Sequence, residues 1–357
     1  MNERVVGLKK IAVILVLCMA MVLFSGCGQG KVNEKGYYDT LNVYNWGDYI
    51  DPVVLEEFEE EYGIKVNYDT FANNEEMLAK IQQGGNDYDV IFPSEYMIET
   101  MIKEDLLQEL DYKNLSNFKN IGEQFKNLPY DPQNKYSVPY FWGSMGIIYN
   151  TKKVDEKVDS WDILWNEKYK GNIFMLDSVR DTVGITLKKL GYSLNTKNID
   201  ELEKAKEELI KQKPLVKAYE VDNYKSMMIA GEGAMALTWS GDAMLLIDEN
   251  KDLAYTIPKE GTNLWFDTMA VPVTSKHKKE AELFIDYMMR PEVAAKCAGY
   301  VKYATANVKA LEYLPKEEVE NELAYPKGNI FEKGEVFIDL ADFTTEYDRI
   351  WTEIKSH

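Results

Sequence analysis

Aromatic and acidic side chains recur together along this chain, and in combination they could hold an organic cation. Val43-Tyr-Asn-Trp-Gly-Asp-Tyr-Ile-Asp-Pro52 crowds three aromatics and two carboxylates into ten residues. Ser94 and Tyr96 follow, then Asp181, Trp239 with Asp242, and Trp265-Phe-Asp267. An ammonium over an aromatic face gains roughly 0.5 to 2 kcal/mol, aromatic walls bury the methylenes between charges, and carboxylates fix where each charge sits. Helix N-termini favour anions, so a cation site at a strand-to-helix edge needs several carboxylates to overturn that bias. Taken singly, each residue also has a duller role. Trp239 and Trp265 suit a core, Asp242 and Asp267 suit strand-end turns, and Asp181 suits a helix cap.

The elements that must position these groups read as α/β. Leu41 to Tyr44 alternates like a short strand, Asp51 can cap the next helix and Pro52 fits its first turn. Trp46, Asp48 and Tyr49 therefore fall just past a strand's C-terminal end, where open α/β sheets place ligands. Val54, Leu55, Phe58 and Tyr62 mark one face of a helix that Gly63 ends. Ile64 to Tyr68 reads as a strand, Asn73 to Gln83 as a helix closed by Gly84 and Gly85, and Asp89 to Phe92 as a strand leading Ser94 and Tyr96 to the same edge. This β-α-β-α-β order is that of a doubly wound sheet.

After a polar stretch from Lys113 to Lys135, Tyr136 to Gly143 is extended, and Gly146 to Asn150 reads as a strand leaving the first domain. A second α/β unit follows: a strand in Lys170 to Asp177, helices at Asp181 to Leu190 and Asn198 to Lys211, the segment Tyr224 to Ala230, and a strand at Ala234 to Trp239. Short strands at Tyr255 to Pro258 and Leu264 to Pro272 carry the chain back to a helix at Lys279 to Met289, stopped before Pro291. Helices at Lys316 to Glu322 and Phe343 to Ile354 complete the second domain.

Several chemistries are excluded or weakened. Neither GxGxxG after a strand nor a P-loop is present, and Trp142-Gly-Ser-Met-Gly146 lacks the spacing of GxSxG. Only His277 and the terminal His357 are available, so a His-based triad or a zinc-protease site has almost nothing to stand on. Paired carboxylates could still run a glycosidase, and that enzyme alternative stays open.

The 357 residues are 45% hydrophobic and allow two globular domains. Lys9 and Lys10, the apolar run Ile11 to Phe24 and Ser25-Gly26-Cys27 read as an export signal over residues 1–27. Leu23 to Cys27 also resembles a bacterial lipobox, which makes Cys27 the acylated first residue and 28–39 a tether. Cys297 is then the only other mature thiol, so no intramolecular disulfide is expected. The formal charge is −19, and the signal carries Arg4, Lys9 and Lys10 against Glu3, leaving −21 on the remainder. An acidic body of this kind argues against nucleic acid and attracts cations.

Tyr44-Asn-Trp-Gly-Asp-Tyr49, Phe92-Pro-Ser-Glu-Tyr96, Val138-Pro-Tyr-Phe-Trp-Gly143, Ser160-Trp-Asp-Ile-Leu-Trp165, Thr238-Trp-Ser-Gly-Asp242 and Trp265-Phe-Asp267 together resemble the spermidine/putrescine-binding subunits of ABC transporters. The resemblance runs in order from about Leu41 nearly to the C-terminus. It implies a two-lobed, type II periplasmic-binding-protein-like fold of sheets flanked by helices, closing on a linear polyamine across hinge strands and catalysing nothing. It also implies delivery to the membrane subunits of an ABC permease, with no cofactor and no metal. The expected lobes are 40–145 with 268–312, and 146–267 with 313–357, in a monomer lipid-anchored at Cys27 to the outer face of the cytoplasmic membrane.

Carried over position by position, Trp46 and Tyr49 wall the ligand while Ser94 and Tyr96 line it. Asp181, Trp239 and Asp242 come from the other lobe, with Trp265, Asp267 and Tyr303 near the hinge. Asp267 grips an ammonium, and Asp181 and Asp242 hold the charge at one end. Asp48, Ser178 and Phe337 are secondary positions. Spermidine-preferring members carry an acid where Ser178 precedes Arg180 and a glutamine where Phe337 stands, whereas Asp242 matches the putrescine-preferring pattern. The balance leans toward a ligand of two or three amines.

Overall fold

The computed structural model describes residues 32–84, 87–326 and 330–357. The export signal, Cys27 and the first part of the tether lie outside them, as does Gly85.

Strand β1 (Thr40–Trp46) includes Trp46 as its last residue, so the strand runs two residues beyond Tyr44 and Trp46 lies in it and not just past it. Asp51 caps helix α1 (Pro52–Tyr62) by accepting from the Val53 N–H at 3.0 Å, and Gly63 ends it at φ 68°, a left-handed conformation that costs glycine little. β2 (Lys65–Phe71), α2 (Asn74–Gln82), β3 (Val90–Ile91) and α3 (Glu95–Lys103) complete the first winding, with β1 parallel to both β2 and β3.

The extended stretches on either side of Gly143 to Gly146 are one strand, β4 (Ser137–Asn150). Two glycines in a hydrophobic run suggest a break, but here they admit neighbours. A Cβ at Gly143 would lie 2.4 Å from the Trp265 ring, and one at Gly146 would lie 2.5 Å from the Thr256 carbonyl oxygen.

β5 (Ile173–Met175), α4 (Val179–Lys189), α5 (Ile199–Gln212), β6 (Val216–Tyr219), α6 (Asn223–Ile229), β7 (Met235–Trp239), α7 (Ser240–Glu249) and β8 (Leu253–Thr256) build the second unit. β9 (Leu264–Ala270) returns to the first, followed by α8 (Lys278–Met288), α9 (Pro291–Val301) and β10 (Ala304–Thr305). The chain ends with the short helices α10 (Lys316–Val319) and α11 (Ile330–Lys333), then α12 (Thr344–Ser356). Pro291 does not simply stop a helix. It sits in the first turn of α9, where its missing N–H costs nothing. The acidic stretch from Lys316 gives only one helical turn.

The strands join in the order β2-β1-β3-β9-β4-β7-β5-β6. β9 runs antiparallel to β3 and β4, and β4 runs antiparallel to β7, so these long strands cross from one α/β unit to the other. One core gathers buried residues from 41–142 and 264–306 with Ile330. A second gathers 145–255, and a third packs α4, α5 and α12 through Val183, Leu187, Leu202, Leu209 and Tyr347. Trp239 packs against both of the first two cores. The fold is two-lobed α/β, with β4 and β9 between the lobes.

Candidate functional site

β9 carries Asp267 to the seam, where it bridges to Ser94 at the start of α3. Its carboxylate accepts from the Ser94 hydroxyl at 2.6 Å and from the Tyr49 hydroxyl at 2.5 Å, and it is only 6% exposed. Burial pushes its pKa up to about 6, against the lowering effect of both hydrogen bonds. No basic side chain among the described residues pairs with it. A buried carboxylate with two hydroxyl donors and no cation of its own is a place for a cation from outside.

The aromatic wall is built from the β1–α1 junction. Trp46 is anchored by its indole N–H, which donates to the Phe92 carbonyl at 2.8 Å, and its ring tilts over Phe71 at 4.5 Å and meets Tyr49 edge-on at 6.5 Å. The Tyr140 hydroxyl donates to the Tyr49 carbonyl and pins the loop. Asp48 is exposed at φ 49°, so its backbone shapes the turn between strand and helix.

From Asp267 the contacts continue in two directions. On one side Tyr303 packs edge-on against Tyr49 at 5.5 Å and against Trp265 at 5.0 Å, and burial, reinforced by the Asp242 charge, pushes its hydroxyl pKa well up. Asp242, in the first turn of α7, also pairs with Lys225 at 3.2 Å and accepts from Tyr224 at 3.3 Å. Its pKa is raised by burial, with Lys225 opposing. Trp239 ends β7 just before this helix and is half-buried.

On the other side Asn74, in the first turn of α2, donates to the Ser94 hydroxyl at 3.1 Å and to the Tyr96 hydroxyl at 3.0 Å. Tyr96 donates in turn to Glu75 at 3.1 Å. Its ring lies 5.5 Å from the Arg180 guanidinium, which Phe337 faces at 4.5 Å. Arg180 is otherwise committed, donating to the Ile338 carbonyl and to Asn195. Asp181 lies inside the first turn of α4 rather than at its cap position, which Ser178 occupies, and it accepts from the Ser178 hydroxyl at 2.7 Å. Burial pushes Asp181 up to about 6, opposed by Ser178 and Arg180 and reinforced by Glu75 and Asp267.

Many of the residues singled out in the sequence are joined by one series of contacts, whereas Asp48 is exposed and Trp239 packs against the two cores. The contact order is Asp242, Tyr303, Tyr49, Asp267, Ser94, Asn74, Tyr96, with Asp242 entering this series at one end and Asp181 lying near the other beside Arg180. The sequence pattern did not single out Asn74, Glu75, Tyr140, Tyr224 or Lys225. Helical periodicity hides Asn74, Glu75, Tyr224 and Lys225, because a polar residue in a first helical turn reads as a cap or a solvated face, and Tyr140 reads as one more aromatic of strand β4. Glu95 was equally silent. It is 1% exposed behind Asp267, accepts from the Phe266 N–H at 2.8 Å, and burial pushes its pKa up to about 8. Among the described residues no group of three or more His, Cys, Asp or Glu side chains is placed to hold a metal ion.

A family model for bacterial extracellular solute-binding proteins matches residues 54–327. The chain is 37% identical over 320 residues to the spermidine/putrescine-binding periplasmic protein of Salmonella typhimurium, covering 89% of this chain and 92% of that one. It is 33% identical over 341 residues to a putrescine-binding periplasmic protein of Escherichia coli, covering 89% and 91%. Among solved structures, a spermidine/putrescine ABC transporter protein from Listeria monocytogenes superposes with a TM-score of 0.86 at 44% identity, covering 89% of this chain and 99% of that chain. The spermidine/putrescine ABC transporter substrate-binding protein from Streptococcus pneumoniae does so at 0.78 and 44%, with the same coverage. The chain therefore belongs to the bacterial extracellular solute-binding proteins, a family of binding proteins and not of enzymes, with the spermidine/putrescine-binding proteins of ABC transporters among its relatives.

Proposed function

We propose that this protein captures a linear polyamine between its lobes and presents it, with the lobes closed, to the membrane subunits of an ABC permease. The observation that carries the reading is Asp267, a buried carboxylate held by Tyr49 and Ser94, flanked by aromatic rings and lacking a basic partner among the described residues. Trp46, Tyr49, Ser94 and Tyr96 contact the ligand from one lobe. Asp181, Trp239 and Asp242 contact it from the other, and Trp265, Asp267 and Tyr303 do so at the seam. Asp48, Ser178 and Phe337 act from the margins. Because Lys225 already pairs with Asp242, Asp267 and Asp181 are the two of the three acids expected from the sequence that are free to meet ammonium groups, which fits a ligand of two or three amines.

The lobes are 40–145 with 268–312, and 146–267 with 313–357, joined by the crossing strands. Residues 1–27 direct export, Cys27 carries the lipid and 28–39 tether a monomeric binding body to the outer face of the cytoplasmic membrane. Calorimetry with putrescine, spermidine and spermine tests the ligand. A micromolar Kd, about −8 kcal/mol, is expected for at least one of them, and no binding of any would end this reading.

A further inference from the structure

The first turn of α2 approaches the seam without having been singled out by the sequence pattern. Asn73 caps the helix by accepting from the Glu76 N–H, and Asn74 ties the turn to Ser94 and Tyr96 through both atoms of its amide. Glu75 is thereby held at the edge of the site with Tyr96 donating to its Oε1. Its neighbour Glu76 is engaged elsewhere, accepting from the Ala72 N–H. Among the described residues no lysine or arginine pairs with Glu75. Across the seam, Asp181 accepts only from Ser178, because both terminal nitrogens of the adjacent Arg180 are given to Ile338 and Asn195. The two carboxylates belong to different lobes, since α2 packs through Met77 and Ile81 into the first core and α4 through Val183 and Leu187 into the third. Tyr96 touches both sides, its hydroxyl donating to Glu75 and its ring lying 5.5 Å from the Arg180 guanidinium next to Asp181; burial and, after it, the Glu75 charge raise the Tyr96 pKa, and Glu75 also bears on Asp181.

We propose that Glu75 is a further ligand-contacting residue, which with Asp181 brackets one ammonium of the ligand from opposite lobes. This rests on the cation-binding reading above. With the site empty, the two carboxylates repel across the cleft and oppose its closure. An ammonium between them turns that repulsion into two attractions, so the same pair that selects a cation also links its arrival to the approach of the lobes. Glu75, unlike Asp267, keeps contact with solvent, which suits the end of a ligand that enters last.

The test is calorimetry with putrescine and spermidine on the full mature chain and three variants. Glu75→Gln keeps an oxygen for the Tyr96 hydroxyl and removes only the charge, and it is expected to weaken binding about tenfold with little change in ligand-free melting temperature. Glu76→Gln removes an equal charge one residue away and is expected to stay within about twofold. Tyr96→Phe leaves both carboxylates in place and, unless Glu75 works only through that hydroxyl, loses less than Glu75→Gln. Unchanged binding in Glu75→Gln, equal losses in Glu75→Gln and Glu76→Gln, or equal losses in Glu75→Gln and Tyr96→Phe would each overturn the role given to Glu75. Failure of the wild type to bind any polyamine would remove the underlying reading instead.

Discussion

Asp267 and Glu95 lie close together, both buried, yet burial sends them to different ends. Asp267 has two hydroxyl donors that favour its charge and a pKa of about 6, so it is ionised at neutral pH, whereas Glu95 at about 8 is protonated. Replacing Asp267 by Asn leaves a desolvated ammonium unpaired and is expected to cost about 2 kcal/mol or more of affinity, read by calorimetry. Glu95→Gln should leave affinity at pH 7 nearly unchanged, because the amide mimics the neutral acid. The same variant has a stability signature. A carboxyl raised above its unfolded value contributes stability that is complete at low pH and is lost as pH rises through the folded value. Wild-type melting temperature should therefore fall between about pH 4.5 and 8 and level off above that, and the fall should be smaller in Glu95→Gln.

The same sign argument applies to Asp267 and Asp181, both at about 6 without ligand. An ammonium needs them ionised. Affinity should be steady above pH 7 and decline as pH drops through 6, reaching on the order of 100-fold weaker at pH 5 if both must release a proton. Titrations at pH 5, 6 and 7.5 measure this. A flat profile would show that neither carboxylate meets the ligand's charge.

At the scale of elements, the decisive joints are strand ends and first helical turns. Gly241, in the first turn of α7, has no room for a side chain, since a Cβ there would lie 2.2 Å from the Tyr303 ring. Gly241→Ala should push Tyr303 away from Asp242 and cost about 1 to 3 kcal/mol of stability together with affinity, checked by melting and calorimetry on one sample. Such joints also mark how far the sequence could be read. Asp51, Pro52 and Gly63 announce α1 because a cap, a first-turn proline and a left-handed stop are local chemistry. Trp46, Tyr49 and Asp242 attract notice in the sequence for a similar reason, as aromatics and acids beside the ends of apolar strands, whereas Asp267 lies in the middle of β9. The continuity of β4 was not legible. Gly143 and Gly146 look like punctuation, and only the approach of Trp265 and Tyr255 from distant strands explains them. Glu75, Tyr224 and Lys225 were hidden likewise, because which face of a helix looks into a cleft is decided by packing and not by the helix's own pattern.

Across the whole molecule, the proposed function requires that closure be held by contacts weak enough to be reopened at the permease. The segment before α12 supplies one set. Lys103 on α3 pairs with Asp339 at 2.8 Å and Glu99 accepts from the Asp339 N–H at 3.0 Å, while Phe337 meets Tyr96 edge-on at 6.2 Å. α3 belongs to the first core, whereas Leu340 packs into the third. These contacts therefore tie one lobe to the other. The Lys103 side chain is 53% exposed, so screening limits the pair to below about 1 kcal/mol, or about fivefold in affinity if it forms only on closure. Asp339→Asn should accordingly weaken polyamine binding by no more than about fivefold, and the difference from wild type should shrink as ionic strength rises toward 1 M. The loss should appear as faster ligand release, because the latch forms after the ligand is seated. Stopped-flow release kinetics on wild type and variant at low and high salt measure this. Equal release rates at low salt would mean that closure is held by the ligand and the crossing strands alone.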